Sequence, residues 1–182
     1  MNVMTKQKNV DTIVCKTNPN VRVNSPPGMV MMDADAIDAI PWCEIDNFPG
    51  LAIKYVWVDL EKGLVVSLIK INQGVQLPVH VHFGTSMLFC LKGRFTYQPA
   101  GTIGPGGFGY EPFNTIHEPD STDSEETLLW AVNSHNELLQ LYNEDGTPGA
   151  IQHLPGQLKW LRKVYGEDAV KHLNIDPSFW ES

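Results

Sequence analysis

Cysteine is scarce in this chain and never paired: Cys15, Cys43 and Cys90 are odd in number, far apart and outside any Cys-x-x-Cys. That pattern offers neither a disulfide framework nor a thiolate zinc site, and the thiols read as reduced. Positive charge is short as well. Thirteen Lys and Arg stand against 21 Asp and Glu, a formal charge of -8, so there is no basic stripe for nucleic acid and no attraction to an anionic membrane surface. No apolar run approaches the ~20 residues of a spanning helix, and the polar first 20 residues have no signal-peptide core. The reading from sequence is therefore a cytoplasmic protein with no nucleic-acid and no membrane partner. What is present is ordinary: 182 residues, 42% hydrophobic and 19% charged, which suits one domain with a real core.

Patterning along the chain divides it into three stretches. Residues 1–49 read as an N-terminal arm that packs on the body of the protein or on a neighbour. They are polar up to Asn24-Ser25-Pro26-Pro27-Gly28, and Asp33 to Ile40 then makes a short helical turn closed by Pro41, with Trp42 as an anchor. Residues 50–146 are short runs of Val, Ile, Leu and aromatics broken by turn residues, the pattern of eight or so strands in a closed sandwich or barrel. Within them, Tyr55 to Leu60 and Leu64 to Ile71 flank Glu61-Lys62-Gly63 as a hairpin, and Met87 to Leu91 and Arg94 to Gln98 flank Lys92-Gly93 as another. From 147 to 182 a 3.6-residue period takes over and predicts a helical segment broken near Gly166, with Leu158, Leu161 and Tyr165 on its packing face.

The six histidines are unevenly placed, and three carry a pattern. One stretch reads Gly74-x5-His80-x-His82-x3-Ser86-x6-Gly93 and a second reads Gly106-x5-Pro112-x4-His117. Residues two apart on a strand share a face, so His80 and His82 look together into whatever their strand encloses. His117 follows the Pro112-Phe113-Asn114 turn, where a returning strand can present a third imidazole. Three neutral nitrogens on one side of a metal leave adjacent positions open, and open positions allow chemistry.

These residues resemble the two motifs of the cupin superfamily. The resemblance implies an all-β fold, a double-stranded β-helix or jelly-roll barrel, here with the N-terminal arm and the C-terminal helical segment added. It departs from the usual pattern at Ser86, where most cupins place a glutamate ligand, and so implies His80, His82 and His117 as a metal set without the carboxylate. Phe95 and Tyr97 after the turn glycine, with Glu111-Pro112 ahead of His117, further resemble the acetylacetone-cleaving and 2,4'-dihydroxyacetophenone dioxygenases, three-histidine ChrR-like cupins. That likeness implies a mononuclear non-haem Fe(II) centre, with Zn, Ni or Mn as other metals such a site accepts. The implied reaction takes a small carbonyl substrate and O2 and cleaves a carbon-carbon bond beside the carbonyl, in a protein that forms a homodimer or homotetramer. Glu111 is the implied catalytic carboxylate, acting on substrate protons or orienting a histidine through its outer N–H. Arg94, Tyr97 and Gln98, on one strand after Gly93, are weaker candidates for the pocket.

Other readings stay open at this level. The same histidines would hold zinc without turnover in a sensor resembling the cupin part of zinc-dependent anti-sigma factors, although residues 1–49 contain no histidine to add ligands. A thiol dioxygenase or an isomerase is also compatible, since one fold hosts many chemistries. Gly104-Pro105-Gly106-Gly107-Phe108-Gly109 matches Gly-x-Gly-x-x-Gly, but no helix pattern follows it, which removes the dinucleotide reading. His135, His153 and His172 lie outside the motifs and read as surface or helix-end residues, and Trp57, Trp130 and Trp160 as anchors.

Overall fold

The computed structural model describes residues 12–14, 22–24, 30–46, 48–98, 100–121 and 125–181. Cys15 and about half of the expected arm lie outside them. The chain forms two compact units, Met1–Ile37 and Asp38–Ser182. In the first, Thr12–Val14 (β1) pairs antiparallel with Arg22–Asn24 (β2). The short helix Ala34–Asp38 (α1) is capped by Asp33, whose Oδ1 accepts from the N–H of Ala36 at 2.9 Å, the stabilising device of helix starts.

The second unit is a jelly roll. Cys43–Glu44 (β3), Leu51–Asp59 (β4) and Leu64–Asn72 (β5) follow one another, then His80–His82 (β6), Ser86–Lys92 (β7), Phe95–Tyr97 (β8), Gly101–Ile103 (β9), Phe108–Glu111 (β10), Ile116–His117 (β11), Pro119–Asp120 (β12), Glu126–Ser134 (β13), Glu137–Tyr142 (β14) and Pro148–His153 (β15). Three sheets result, in the orders β10-β7-β13-β5-β4-β3, β11-β6-β14-β15 and β12-β8-β9. Every pairing is antiparallel. The sequence alternation explains the inward faces: Val65, Ser67, Ile69 and Ile71 of β5 and Leu129, Ala131 and Asn133 of β13 line the interior, at the period of two that a pleated strand imposes.

The hairpin expected around Glu61-Lys62-Gly63 is present, with Asp59 opposite Leu64. The hairpin expected around Lys92-Gly93 is not. β7 pairs with β10 and β13, whereas β8 pairs with β9 and β12. Gly93, at φ +75°, is therefore a corner at which the chain leaves one sheet for another, fixed by Thr127 Oγ1 donating to the Arg94 carbonyl at 2.8 Å. A glycine in a left-handed conformation signals a sharp turn without specifying which strands it joins.

Gly84 settles the step from β6 to β7. A side chain there would overlap the carbonyl oxygen of Ser134, and Thr85 and Ser134 exchange the bonds that hold the crossing, with the N–H of Ser134 donating to Thr85 O at 3.0 Å and that of Thr85 to Ser134 Oγ at 3.0 Å. The backbone approach that lets β6 present its histidines thus depends on a missing Cβ.

The β-region runs past residue 146, where the alternation was expected to stop. β15 pairs with β14 across the Asn143 to Thr147 turn, an edge strand whose Pro-Gly start hides it from pattern reading. Leu154–Tyr165 (α2) follows as expected, with Pro in its first turn and Gly166 ending it. Leu154, Leu158 and Leu161 are buried with Tyr55, Val58 and Val65, so the helix packs on β4 and β5. Two 3-10 turns, Glu167–Ala169 and Lys171–Leu173, add Val170 and Leu173 to that cluster. Ser178–Glu181 (α3) closes the described chain. Among the described residues no helix is long and apolar enough to cross a membrane.

His172 has the helix-end place expected of it, in the 3-10 turn Lys171–Leu173, but is half-buried there. Its Nε2 meets the Tyr55 carbonyl at 2.6 Å, tying the last turns to β4, and desolvation holds its pKa below the usual imidazole value. Cys90, by contrast, is the buried hydrophobe its run of apolar neighbours predicts, packed with Ile71, Leu88 and Phe95. The glycine run from 104 to 107 forms a turn, with the N–H of Gly106 donating to Cys90 O at 2.8 Å.

Candidate metal centre

β6 and β11 are neighbours in one sheet, and His117 stands directly opposite His80. With His82 two residues along the same face, the fold brings the three imidazoles to one point. Their ligand atoms lie within 4.8 Å of one another. His80 Nε2 is 2.9 Å from His117 Nε2 and 3.2 Å from His82 Nε2. Two nitrogens bound at about 2.1 Å from one ion and at right angles would be ~3.0 Å apart. The separations of His82 and His117 from His80 thus fit adjacent corners of one coordination sphere.

The outer nitrogens explain which atoms face inward. His80 Nδ1 sits 2.8 Å from the Pro78 carbonyl, to which only an N–H can donate, so Nε2 keeps its lone pair. A backbone hydrogen bond with Leu138 holds His82. His117 Nδ1 is buried without a partner among the described residues. Burial holds all three pKa values down, with like-charge repulsion among the rings adding to it for two of them: His82 and His117 fall to about 3, and His80 is lowered by desolvation. The rings are therefore neutral at physiological pH, the state that binds metal.

Glu111 reaches this cluster from β10, where it lies opposite Ser86 of β7. The carboxylate thus enters from the strand beside the position at which most cupins carry their ligand glutamate. Its Oε1 accepts the hydroxyl of Tyr97, and its Oε2 lies 3.3 Å from His82 Nε2 and 4.0 Å from His117 Nε2. It therefore faces the inward nitrogens and touches no outer Nδ1, which removes the orienting role through an outer N–H. Oε2 is buried and has no hydrogen-bond partner among the described residues. Desolvation pushes the Glu111 pKa up to about 7, opposed by the Tyr97 hydrogen bond. The donor group itself comprises the three imidazoles, with Glu111 beside it. A buried orphan carboxylate oxygen beside the neutral nitrogens of His82 and His117 is the environment a divalent cation relieves.

His80, His82 and Glu111 line the barrel interior, a cavity of about 150 Å³, the size at which a pocket holds a molecule of roughly one aromatic ring. Its wall is mainly apolar, with Leu88, Phe95, Leu129, Leu139 and Leu141 among the lining residues. Tyr97 lines it, its ring 4.6 Å from that of His117. Arg94 and Gln98 do not: both are exposed and absent from the wall. The reason is strand alternation, since Phe95 and Tyr97 take the inward phase and leave the residues at even positions outside.

Beyond Ser86, Tyr97 and Glu111, the polar residues inside the barrel carry no motif in the sequence. Ser67, Ser86 and Asn133 line the cavity, as do Tyr55, Gln152 and Gln157. Tyr55 donates its hydroxyl to Gln157 Oε1, and Gln157 Nε2 donates to Gln152 Oε1 at 2.5 Å. A signal existed: Ser67 and Asn133 occupy the inward phase of strands whose other inward residues are apolar.

Comparison with known proteins agrees with the fold. An RmlC-like cupin protein from Ralstonia eutropha JMP134 superimposes with a TM-score of 0.65 at 19% identity, over 75% of this chain and 88% of that one. An acetylacetone dioxygenase from Acinetobacter johnsonii gives 0.60 at 15% identity, over 75% and 93%. A cupin-like protein of unknown function from Ralstonia eutropha JMP134 gives 0.58 at 25% identity, over 67% and 74%. No curated protein matches the chain. At such identities the structural likeness is one of fold. The ChrR cupin-like domain matches residues 31–136, more than half the sequence and all three histidines, and the chain belongs to that family.

Proposed function

We propose that the protein is a mononuclear non-haem Fe(II) dioxygenase that cleaves the carbon-carbon bond beside a carbonyl in a small β-diketone or 2-hydroxyacetophenone-type substrate. The observation that carries this reading is the three-imidazole cluster opening on an apolar cavity, with a buried carboxylate at its edge. Three neutral ligands leave the full 2+ charge on an ion held there, which favours a chelating enolate or enediolate over a neutral ligand. Iron in that position would supply Lewis-acid polarisation and O2 activation.

The chain's own residues then have definite tasks. Glu111 Oε2 accepts the proton released as the substrate becomes its enolate, while Tyr97 holds Oε1 and fixes the carboxylate's orientation. The apolar wall excludes water and seats the hydrocarbon part of the substrate. Overall one carbon-carbon bond breaks and each fragment gains one oxygen atom. O2 takes all four electrons from the substrate, so no external reductant is required.

Membership of a ChrR-like family favours a second reading, a zinc-holding binding module without turnover. One experiment separates the two: metal analysis of purified protein, then oxygen uptake with β-diketones, 2-hydroxyacetophenones and small thiols after iron loading. Iron with uptake on a dicarbonyl supports the oxygenase. Tightly held zinc with no uptake after iron loading supports the module, and uptake on thiols alone supports a thiol dioxygenase.

A further inference from the structure

Two cavities meet at one set of side chains. Ile45, Tyr55, Gln152 and Gln157 line the barrel cavity that His80 and His82 share, and the same four line a second, outer cavity of about 260 Å³. Asp46, just past β3, and Trp160 and Leu161 of α2 complete the outer cavity. Asp46 is exposed, which places this space at the protein surface. Its rim is pinned: the Trp160 ring packs edge-on against Tyr165, whose hydroxyl donates to the Glu44 carbonyl at 2.7 Å.

Between the two cavities stands a hydrogen-bonded chain drawn from three elements. Tyr55 of β4 donates to Oε1 of Gln157 in the first turn of α2, and Gln157 Nε2 donates to Oε1 of Gln152 on β15. Tyr55 is 3% exposed, and burial pushes its pKa up, so its hydroxyl stays a donor. The metal centre is close by along the sheet. His82 of β6 lies opposite Leu139 of β14, and Leu139 lies opposite Gln152. Strands about 4.8 Å apart put Gln152 roughly 10 Å from His82.

A permanent partition would suit the apolar residues that form most of the barrel wall. The chain is built instead from neutral polar groups, whose mutual bonds contribute little net stability because water replaces each one that breaks. Leu154 and Leu158 anchor the first turn of α2 in the core, so the Gln157 backbone is held while its side chain can change rotamer. The partition can therefore open with the rim and the fold intact.

We propose that the Tyr55–Gln157–Gln152 chain is a gate: ligands reach the metal centre through the outer cavity, and these three side chains part to admit them and close behind them. The outer cavity is then an antechamber, and α2 is the element that carries the moving part. This assignment rests on a metal held at the three histidines and not on the oxygenase chemistry proposed for it.

The test is stopped-flow binding of benzohydroxamate, a chelating anion about one ring in size, to the full-length Co(II)-loaded protein, read from the visible cobalt spectrum. Tyr55→Phe and Gln157→Ala break the chain. Each is expected to raise kon and koff together by about tenfold, the effect of one lost hydrogen bond on the closed state. Kd should stay within about twofold, because a gate alters passage in both directions equally. Gln157→Trp fills the passage and should slow both rates at least tenfold. Rates unchanged in all three variants, with or without a lowered Tm, would make the chain a latch for α2 and overturn the proposal. A shifted Kd at constant kon would make these residues part of the ligand's seat and overturn it too, as would no binding to the wild type. Oxygen uptake by iron-loaded protein is read separately. Absent uptake with gated benzohydroxamate binding contradicts the oxygenase reading alone.

Discussion

Tyr97 donates its hydroxyl to Oε1 of Glu111, which leaves Oε2 of the same carboxylate 3.3 Å from His82 Nε2 with no hydrogen-bond partner among the described residues. One oxygen of the pair is thereby committed to structure and the other is free for chemistry. Replacing Glu111 by Gln keeps the shape and removes the proton acceptor. Turnover is expected to fall about 100- to 10,000-fold, the usual contribution of general base catalysis, with metal content unchanged. Metal analysis beside steady-state kinetics checks this. A Gln variant that turns over at the wild-type rate assigns the proton step elsewhere.

Tyr97→Phe removes only the hydrogen bond that orients the carboxylate. A smaller loss is expected, about tenfold in kcat, because Glu111 remains but is no longer fixed. Comparing kcat and KM separately distinguishes this from a change in cavity shape, which would appear chiefly in KM.

Each histidine is expected to be required for metal. His80→Ala leaves two imidazoles, and affinity for Fe(II) or Zn(II) should drop by more than about 100-fold, since even loss of a supporting partner costs 10- to 100-fold. The rise in Tm on adding metal should vanish with it, because that rise reflects binding to the folded state alone. His153→Ala, at an exposed position outside the cluster, should change neither quantity.

His172 gives a pH dependence independent of the metal site. Its folded pKa is depressed by burial while its ring holds the Tyr55 carbonyl, so the unfolded chain binds more protons at mildly acidic pH. Stability contributed by the neutral ring is therefore fully present above the unfolded value of about 6.5 and is lost as pH falls below it. Urea unfolding at pH 5 and 8 should show weaker folding at pH 5, with the difference reduced in His172→Gln, which cannot take up the proton.

Gly84→Ala tests the backbone approach that sets β6. A methyl group there overlaps Ser134 O, which belongs to the backbone of the longest strand pairing in the sheet, and the crossing cannot shift without breaking the Thr85–Ser134 bonds. A loss of at least about 2 kcal/mol is expected from overpacking of this kind, read as a lowered urea midpoint.

Much of this was legible in the sequence. His-x-His placed two imidazoles on one face because a strand repeats every two residues, and the spacing to His117 implied the returning strand. The apolar period of Leu158 and Leu161 gave α2 and its packing face. Legibility failed where one signal had two meanings. Gly93 marks a turn, and a turn glycine looks alike in a hairpin and at a corner between sheets. Arg94 and Gln98 lie near Tyr97 along the chain, but the same period of two that places the histidines puts them outside. Ser67 and Asn133 went unread because a lone polar residue in an apolar strand is conspicuous only once the inward phase is known. Glu111 was found, but its direction toward the inward Nε2 atoms depends on the pairing of β10 with β7, which no local pattern encodes.

The most direct test of the central claim is cleavage of a β-diketone under ¹⁸O₂ by the full-length protein loaded with one Fe(II) per chain, followed by mass spectrometry of the two fragments. One labelled oxygen atom is expected in each fragment, with no reaction in His80→Ala. Full iron occupancy without cleavage, or fragments whose new oxygen comes from water, would contradict it.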